Sequence, residues 1–327
     1  MIQPIFSFLT LLLALLLAGC SGKAPETLSF ADIDQMGNAL VYVALAKGYF
    51  ADENLSVDFQ RFTSGRDALA ATLSGQTDAG ISYSLPVAKA VYAGQPLRIL
   101  TTVHRAALYE GLVVRRDRGI ETTADLKGRK VGVVPGSTSV YLLHLARLEA
   151  GLPAGDLTEV PMKPEDGPDL LASGAVDAIS IWPPHVQNAL AKLPEGVGKV
   201  IYVPAYTQIS MLATTPENLV NKREALQRFV RALVRAEEFI LEQDAEARAL
   251  VTRHLSKQLA GATHHDWQNS HYQLRLDNLM LTALTNELTW LAGQQTPPGP
   301  VPEMAPLLAP ELLAAVRPQA VTLKIPF

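Results

Sequence analysis

The chain has 327 residues, with 28 Lys and Arg against 32 Asp and Glu, a formal charge of −4 with His neutral. That near balance gives no basic footprint for nucleic acid, and 22 Gly and 22 Pro in a chain 48% apolar and 18% charged exclude a collagen-like or largely disordered polypeptide. One Cys cannot close an internal bridge, and the length suits about two domains.

The single Cys closes the apolar run Leu9 to Ala18, in the order Leu17-Ala18-Gly19-Cys20. The run falls short of the roughly 20 apolar residues that a membrane-spanning helix needs. It resembles the lipobox of bacterial lipoprotein signals. That resemblance implies removal of residues 1–19, lipidation of Cys20 as the new N-terminus, and a polar tether over residues 20–27. Residues 1–10 hold no Lys or Arg, a departure from the usual basic leader. The plainer reading is a buried free Cys at the end of a core helix.

Downstream, Leu28 to Ala31 reads as a strand, and Asn38 to Lys47 as a helix with Asn38 suited to the N-cap and Gly48 to the stop. Val57 to Phe62 alternates as a strand does, Thr63-Ser64-Gly65 is a turn, Asp67 to Ser74 a helix closed by Gly75, and Asp78 to Ser82 a strand. Leu108 to Arg116 reads as a strand crossing from one lobe to the next. The first order then recurs: strand Lys130 to Val134, loop 135–138, helix Ser139 to Ala150 with Gly151 as its stop, strand Leu157 to Met162, helix Gly167 to Ser173, and strand Asp177 to Ile181. The copies match most closely where Ser74-Gly75-Gln76-Thr77-Asp78-Ala79 meets Ser173-Gly174-Ala175-Val176-Asp177-Ala178, and each places an aromatic, Tyr83 or Trp182, five residues after its Asp. Tyr202 to Thr214 reads as a return strand. Leu226, Phe229, Val230, Leu233, Val234, Phe239, Ile240 and Leu241 recur at helical spacing, as a face packed on the first lobe. Helical patterning continues to about Leu291. Thr296 to Pro310, with six prolines, is a surface turn run before a short helix, Glu311 to Val316.

Two strand–helix repeats of this length predict an α/β fold of two lobes, each a helix-covered, mainly parallel sheet, with a ligand cleft between the carboxyl ends of their strands. The expected division is 28–110 for the first part of lobe I, 111–206 for lobe II, and 207–327 for the return to lobe I with its C-terminal helices and Pro-rich segment.

The ordered set Ala46-Lys47-Gly48-Tyr49-Phe50, Ser64-Gly65, Gly75-Gln76-Thr77-Asp78, Asp125-Leu126-Lys127-Gly128-Arg129-Lys130-Val131-Gly132-Val133, Pro135-Gly136-Ser137 and Trp182-Pro183-Pro184 resembles the nitrate/sulfonate/taurine class of ABC-transporter substrate-binding lipoproteins. These have the type II periplasmic-binding-protein fold, within the thiamine-pyrimidine-synthase-like superfamily. The resemblance covers about Thr27 to Leu291. It implies capture of a small solute such as a sulfonate, nitrate, taurine-like molecule or pyrimidine precursor. It also implies delivery to an ABC permease and its ATPase subunit, as a monomer on the extracytoplasmic face of the bacterial envelope.

Several loop residues are candidates for the cleft. Gly136 permits close backbone approach, while Ser137 and Thr138 either touch ligand or only cap a helix, and Ser64 and Gly65 stand the same way. Tyr83 and Trp182 at strand ends either flank a ligand or belong to the core. The resemblance places Gln35, Met36 and Asn38 in a ligand-contacting loop. Arg66 is the nearest loop cation or a solvated helix charge. Glu110 either meets an amine-bearing ligand or holds the hinge; His104 and Arg105 are weaker candidates.

Catalysis has little to build on. Some proteins of the fold are pyrimidine synthases or desulfinases, but one Cys supplies neither an iron motif nor, in the lipobox, a cleft nucleophile. His264, His265 and His271 lack metal-motif spacing, and no phosphate-binding Gly loop is present. No enzyme activity, cofactor or metal is expected; an enzyme or sensor reusing the fold is the alternative.

Overall fold

The computed structural model describes residues 24–255 and 263–323, so Cys20 and the leader lie outside the described residues. The chain opens with β1 (Glu26–Ile33), α1 (Ala39–Ala46), α2 (Tyr49–Asp52), β2 (Leu55–Phe62), α3 (Gly65–Leu73), β3 (Ala79–Tyr83), α4 (Ser84–Tyr92) and β4 (Arg98–Ala106). It crosses into β5 (Gly111–Arg115), β6 (Lys130–Val133), α5 (Thr138–Glu149), β7 (Thr158–Pro161), α6 (Gly167–Ser173), β8 (Ala178–Ile181), α7 (His185–Lys192) and β9 (Gly198–Ile201). It then returns through β10 (Gln208–Thr214), α8 (Pro216–Asn221), α9 (Arg223–Glu242), α10 (Asp244–His254), α11 (Thr263–Gln268), β11 (Ser270–His271), α12 (Asn278–Gly293) and α13 (Glu311–Ala314).

Two sheets result, ordered β11-β4-β10-β3-β1-β2 and β7-β6-β8-β5-β9. In each, the repeated strands run parallel, β2-β1-β3 and β7-β6-β8, while the strand arriving from the other sheet, β10 or β5, pairs antiparallel beside the third. The two lobes thus share one plan, and each sheet is completed by the crossing chain.

The repeated motif has a structural explanation. Gly75 and Gly174 take φ of +79° and +77° after their helices, a left-handed turn that glycine adopts without strain. The Asp that follows then ties the third strand to the first. Asp78 Oδ2 accepts from Ser29 N at 2.8 Å and Asp177 Oδ2 from Lys130 N at 2.9 Å, while the Asp amides return bonds to the Ser29 and Lys130 carbonyls. Partial burial alone would raise the Asp177 carboxyl; the Lys130 amide and Arg118, at 2.5 Å, outweigh it and hold the group below the usual range. Asp177→Asn and Asp78→Asn are each expected to destabilise by about 1–3 kcal/mol, read as a lower urea midpoint at pH 7. Unchanged midpoints in both would show that the motif does not join the strands.

The all-apolar α1 is buried from Ala39 to Ala44 because α9 and α10 both pack on it. Along α9, Leu226, Phe229, Val230, Leu233 and Val234 are buried, whereas Leu241, expected on the same face, is 66% exposed near the helix end. Three expectations shift. Asn38 stands at the N-cap of α1 but its side chain makes no capping bond; its Nδ2 donates instead to buried Asp32 Oδ1 at 2.6 Å. The crossing strand begins at Gly111, not Leu108, because Leu108 adopts φ +55°, outside the extended region. The return strand begins at Gln208, since Pro204 has no N–H to donate and the Tyr206 amide turns back to the Val203 carbonyl.

Candidate functional site

A cavity of about 570 Å3 lies where the loops of both sheets face each other. Each wall comes from a recognisable strand-to-helix turn. From the first sheet, Ser64 and Gly65 open α3 and Tyr83 ends β3; from the second, Ser137 and Thr138 open α5 and Trp182 follows β8. Gln35, Arg66 and Glu110 complete the expected residues that line it.

The hydroxyls are already engaged. Ser64 Oγ accepts from the Asp67 amide at 3.2 Å and donates to Asp67 Oδ2 at 2.7 Å, and Ser137 Oγ accepts from the Ser139 amide at 3.3 Å and donates to the Val134 carbonyl at 2.8 Å. Both therefore act as caps while facing the cavity. Partial burial would raise the Asp67 carboxyl, but Ser64 and Arg66 outweigh it and keep the group low. Gly65 has its residue type for steric reasons: a Cβ there would sit 2.8 Å from Tyr83 Cδ2. Tyr83 in turn donates its hydroxyl to Gln35 Oε1.

Three expected residues stand off the wall. Met36 is buried in the core, and Asn38 is fully buried on Asp32. Gly136, at φ +81°, makes the turn behind Ser137, with Arg66 packed 3.7 Å from where its Cβ would be. His104 is interior, its Nε2 2.9 Å from Ser270 Oγ, and Arg105 pairs with Asp277 at 2.8 Å.

Glu110 dominates the electrostatics. It immediately precedes β5 and is 3% exposed. Its Oε1 accepts from Thr138 Oγ1 at 2.7 Å and Gln208 Nε2 at 2.5 Å, groups from the second sheet's α5 and the returning β10. Burial pushes its pKa up to about 7, although Thr138, Gln208 and the nearby Tyr206 hydroxyl oppose the rise. Glu287 of α12, which accepts from Ser84 Oγ at 2.6 Å, is pushed to about 8 by burial, with Glu110 adding to the rise. Across the mouth, Arg66 bridges the lobes by donating to the Pro135 carbonyl at 3.3 Å; away from the cavity wall, the Trp290 ring of α12 lies 5.3 Å from the Tyr141 ring of α5.

Reading the sequence missed Phe62, Pro86, Lys163, His185 and Gln208 on the wall. His185 follows directly on Trp182-Pro183-Pro184 and edges the Trp182 ring at 6.2 Å, with burial lowering its pKa. Its place after that motif was the available signal; Gln208 had none.

Curated proteins similar to this chain include one from Brucella abortus named only as a binding protein, 27% identical over 209 residues, spanning 63% of this chain and 64% of that protein's length. A formylaminopyrimidine-binding protein of Halalkalibacterium halodurans is 28% identical over 258 residues, 74% of this chain and 77% of its own. Among solved structures, the periplasmic aliphatic sulphonate binding protein of Escherichia coli superposes with TM-score 0.72 at 21% identity, covering 86% of this chain and 97% of that one. A desulfurization enzyme superposes with TM-score 0.65, also at 21% identity, over 90% and 99%. These likenesses establish the two-lobed periplasmic-binding-protein architecture. The NMT1/THI5-like family model matches residues 35–247, most of the chain and nearly the whole cavity wall. This chain belongs to the NMT1/THI5-like family.

Proposed function

We propose that the chain is the solute-binding component of an ABC importer, which captures a small polar solute between its lobes and delivers it to a permease driven by a separate ATPase subunit. The observation that carries this reading is a cavity walled by both sheets, with Glu110 at the chain crossing. A solute that touches both walls favours the closed arrangement, because only differential contact shifts such an equilibrium.

The lobes are assigned as 28–110 with 207–327, and 111–206, hinging near Tyr109 to Gly111 and Tyr206 to Ser210. The proposed contacts are Gln35, Tyr83, Glu110 and Trp182 inside, with Ser64, Gly65, Arg66, Ser137 and Thr138 around them. Lipidation at Cys20 would hold the monomer on the extracytoplasmic side, beside its permease. Trapping is favoured over catalysis because the only Cys of the chain is Cys20, which leaves the cavity no thiol nucleophile.

A thermal-shift screen of sulfonates, taurine, nitrate, bicarbonate and aminopyrimidines tests the proposal. One class is expected to stabilise saturably and emerge unchanged, by about 2.7 kcal/mol at a hundredfold excess over Kd. Consumption of a solute without stoichiometric binding would instead point to an enzyme.

A further inference from the structure

The floor of the cavity carries information about the inner end of its solute. Glu110 lines the cavity and is buried, with Oε1 held by Thr138 and Gln208 and Oε2 without a hydrogen-bond partner among the described residues. A buried carboxylate oxygen left this way is costly unless something meets it. The wall adds a second observation. Among the described residues, Asp34, Asp67, Glu110 and Glu165 place four carboxylates on it against two cations, Arg66 and Lys163. Arg66 is engaged by Asp67 and the Pro135 carbonyl at the mouth. Lys89 stands behind Gly136 and does not line the cavity. An anionic group at the floor would therefore meet Glu110 with no cation beside it, whereas a basic nitrogen would meet the partner it requires.

Resting on the solute-trap reading, we infer that the solute presents a basic nitrogen (an amine, amidine or aminoheterocycle) to the Glu110 carboxylate, and that Glu110 selects for it. Any anionic end of the same molecule lies toward the mouth, where the N-termini of α3 and α5 open. Oε2 has no solvent access in this arrangement, so the nitrogen reaches it when the lobes part and is enclosed with it when they shut. Thr138 from one lobe and Gln208 from the return strand hold the carboxylate at that crossing. Tyr206, whose buried hydroxyl lies near enough to oppose the Glu110 rise but meets no hydrogen-bond partner of full geometry among the described residues, is the competing neighbour for Oε2.

Matched probes separate these cases. Calorimetric titrations at pH 7.5 compare taurine with 2-hydroxyethanesulfonate, and 4-aminopyrimidine with 4-hydroxypyrimidine, on the purified protein and on Glu110→Gln and Tyr206→Phe. The amino-bearing member of at least one pair is expected to bind about tenfold tighter. Glu110→Gln, which keeps the Oε1 acceptor, is expected to abolish that preference with an unchanged or higher melting temperature, while Tyr206→Phe preserves it. Equal binding within each pair, a preference that survives Glu110→Gln, or one lost in Tyr206→Phe alone overturns the inference and leaves the importer reading standing. Binding of none of the four probes overturns it too, and the wider solute screen then decides the importer reading separately.

Discussion

Phe229→Ala is expected to destabilise the first lobe by about 3–5 kcal/mol, the largest effect of any single truncation argued from this fold. Phe229 is fully buried on α9, with its ring stacked 4.8 Å from Phe30 of β1 and 5.0 Å from Phe50 of α2. Phe59 of β2 meets the same group, 5.9 Å from Phe30. Truncation opens a cavity among aromatic rings held by two neighbouring strands and a helix, so none can collapse freely into it. Phe229→Leu, which keeps most of the volume, is expected to cost less than half as much. The measurement is urea unfolding followed by far-ultraviolet circular dichroism; a loss under about 1 kcal/mol for the Ala variant would mean that α9 is not fastened to the sheet through this stack.

The second large effect is a dependence on pH. Burial raises Glu110 to about 7 and Glu287 to about 8, both from an ordinary 4.5. The folded state then binds more protons than the unfolded chain, so stability is fully present below about pH 4.5 and is lost as pH rises through 7 to 8. For Glu110 alone the loss is on the order of 3 kcal/mol. Glu110 ionises first, and its charge lifts Glu287 further. The solute-free protein should therefore show a falling urea midpoint from pH 5 to pH 8, and Glu110→Gln should flatten much of that fall and raise the midpoint at pH 8. A wild-type midpoint constant over this range, or a variant with an unchanged slope, would place the Glu110 carboxylate in a wetter setting than the cavity floor. A solute nitrogen that pairs with Glu110 should also draw its pKa back down, so saturation with such a solute is expected to reduce the slope.

Much of this architecture was written locally. The paired Gly and Asp of the two repeats are legible because each sets a turn and an amide bond between strands of one unit, and Ser64 and Ser137 because cap residues act within three positions of themselves. Tyr83 and Trp182 followed from their matching place after those Asp residues. The rest required contacts remote in sequence. The charge of Glu110 has meaning only through Thr138 and Gln208, 28 and 98 residues away. The insertion of β10 between β3 and β4 depends on pairing Ser210 with Tyr83 and with His104, which no local pattern encodes. Met36 and Asn38 sit beside the cavity loop in sequence, yet the interior claims them, Met36 by packing and Asn38 by the buried Asp32 carboxylate. The segment holding α4 and β4 is harder to read: Pro86 sits in the first turn of α4, and β4 shows no alternation because Ile99 to His104 are all buried.

The most direct test of the trap is a calorimetric titration of the solute that stabilises the protein most, against wild type and Trp182→Ala. Trp182 is 7% exposed and lines the cavity from the second lobe, so its loss removes wall contact without touching the Glu110 floor. The account predicts one solute per chain and at least a tenfold weaker affinity in the variant, roughly 1.4 kcal/mol, with no solute consumed. Unchanged affinity in Trp182→Ala, or solute turned over without a bound stoichiometric complex, would contradict it.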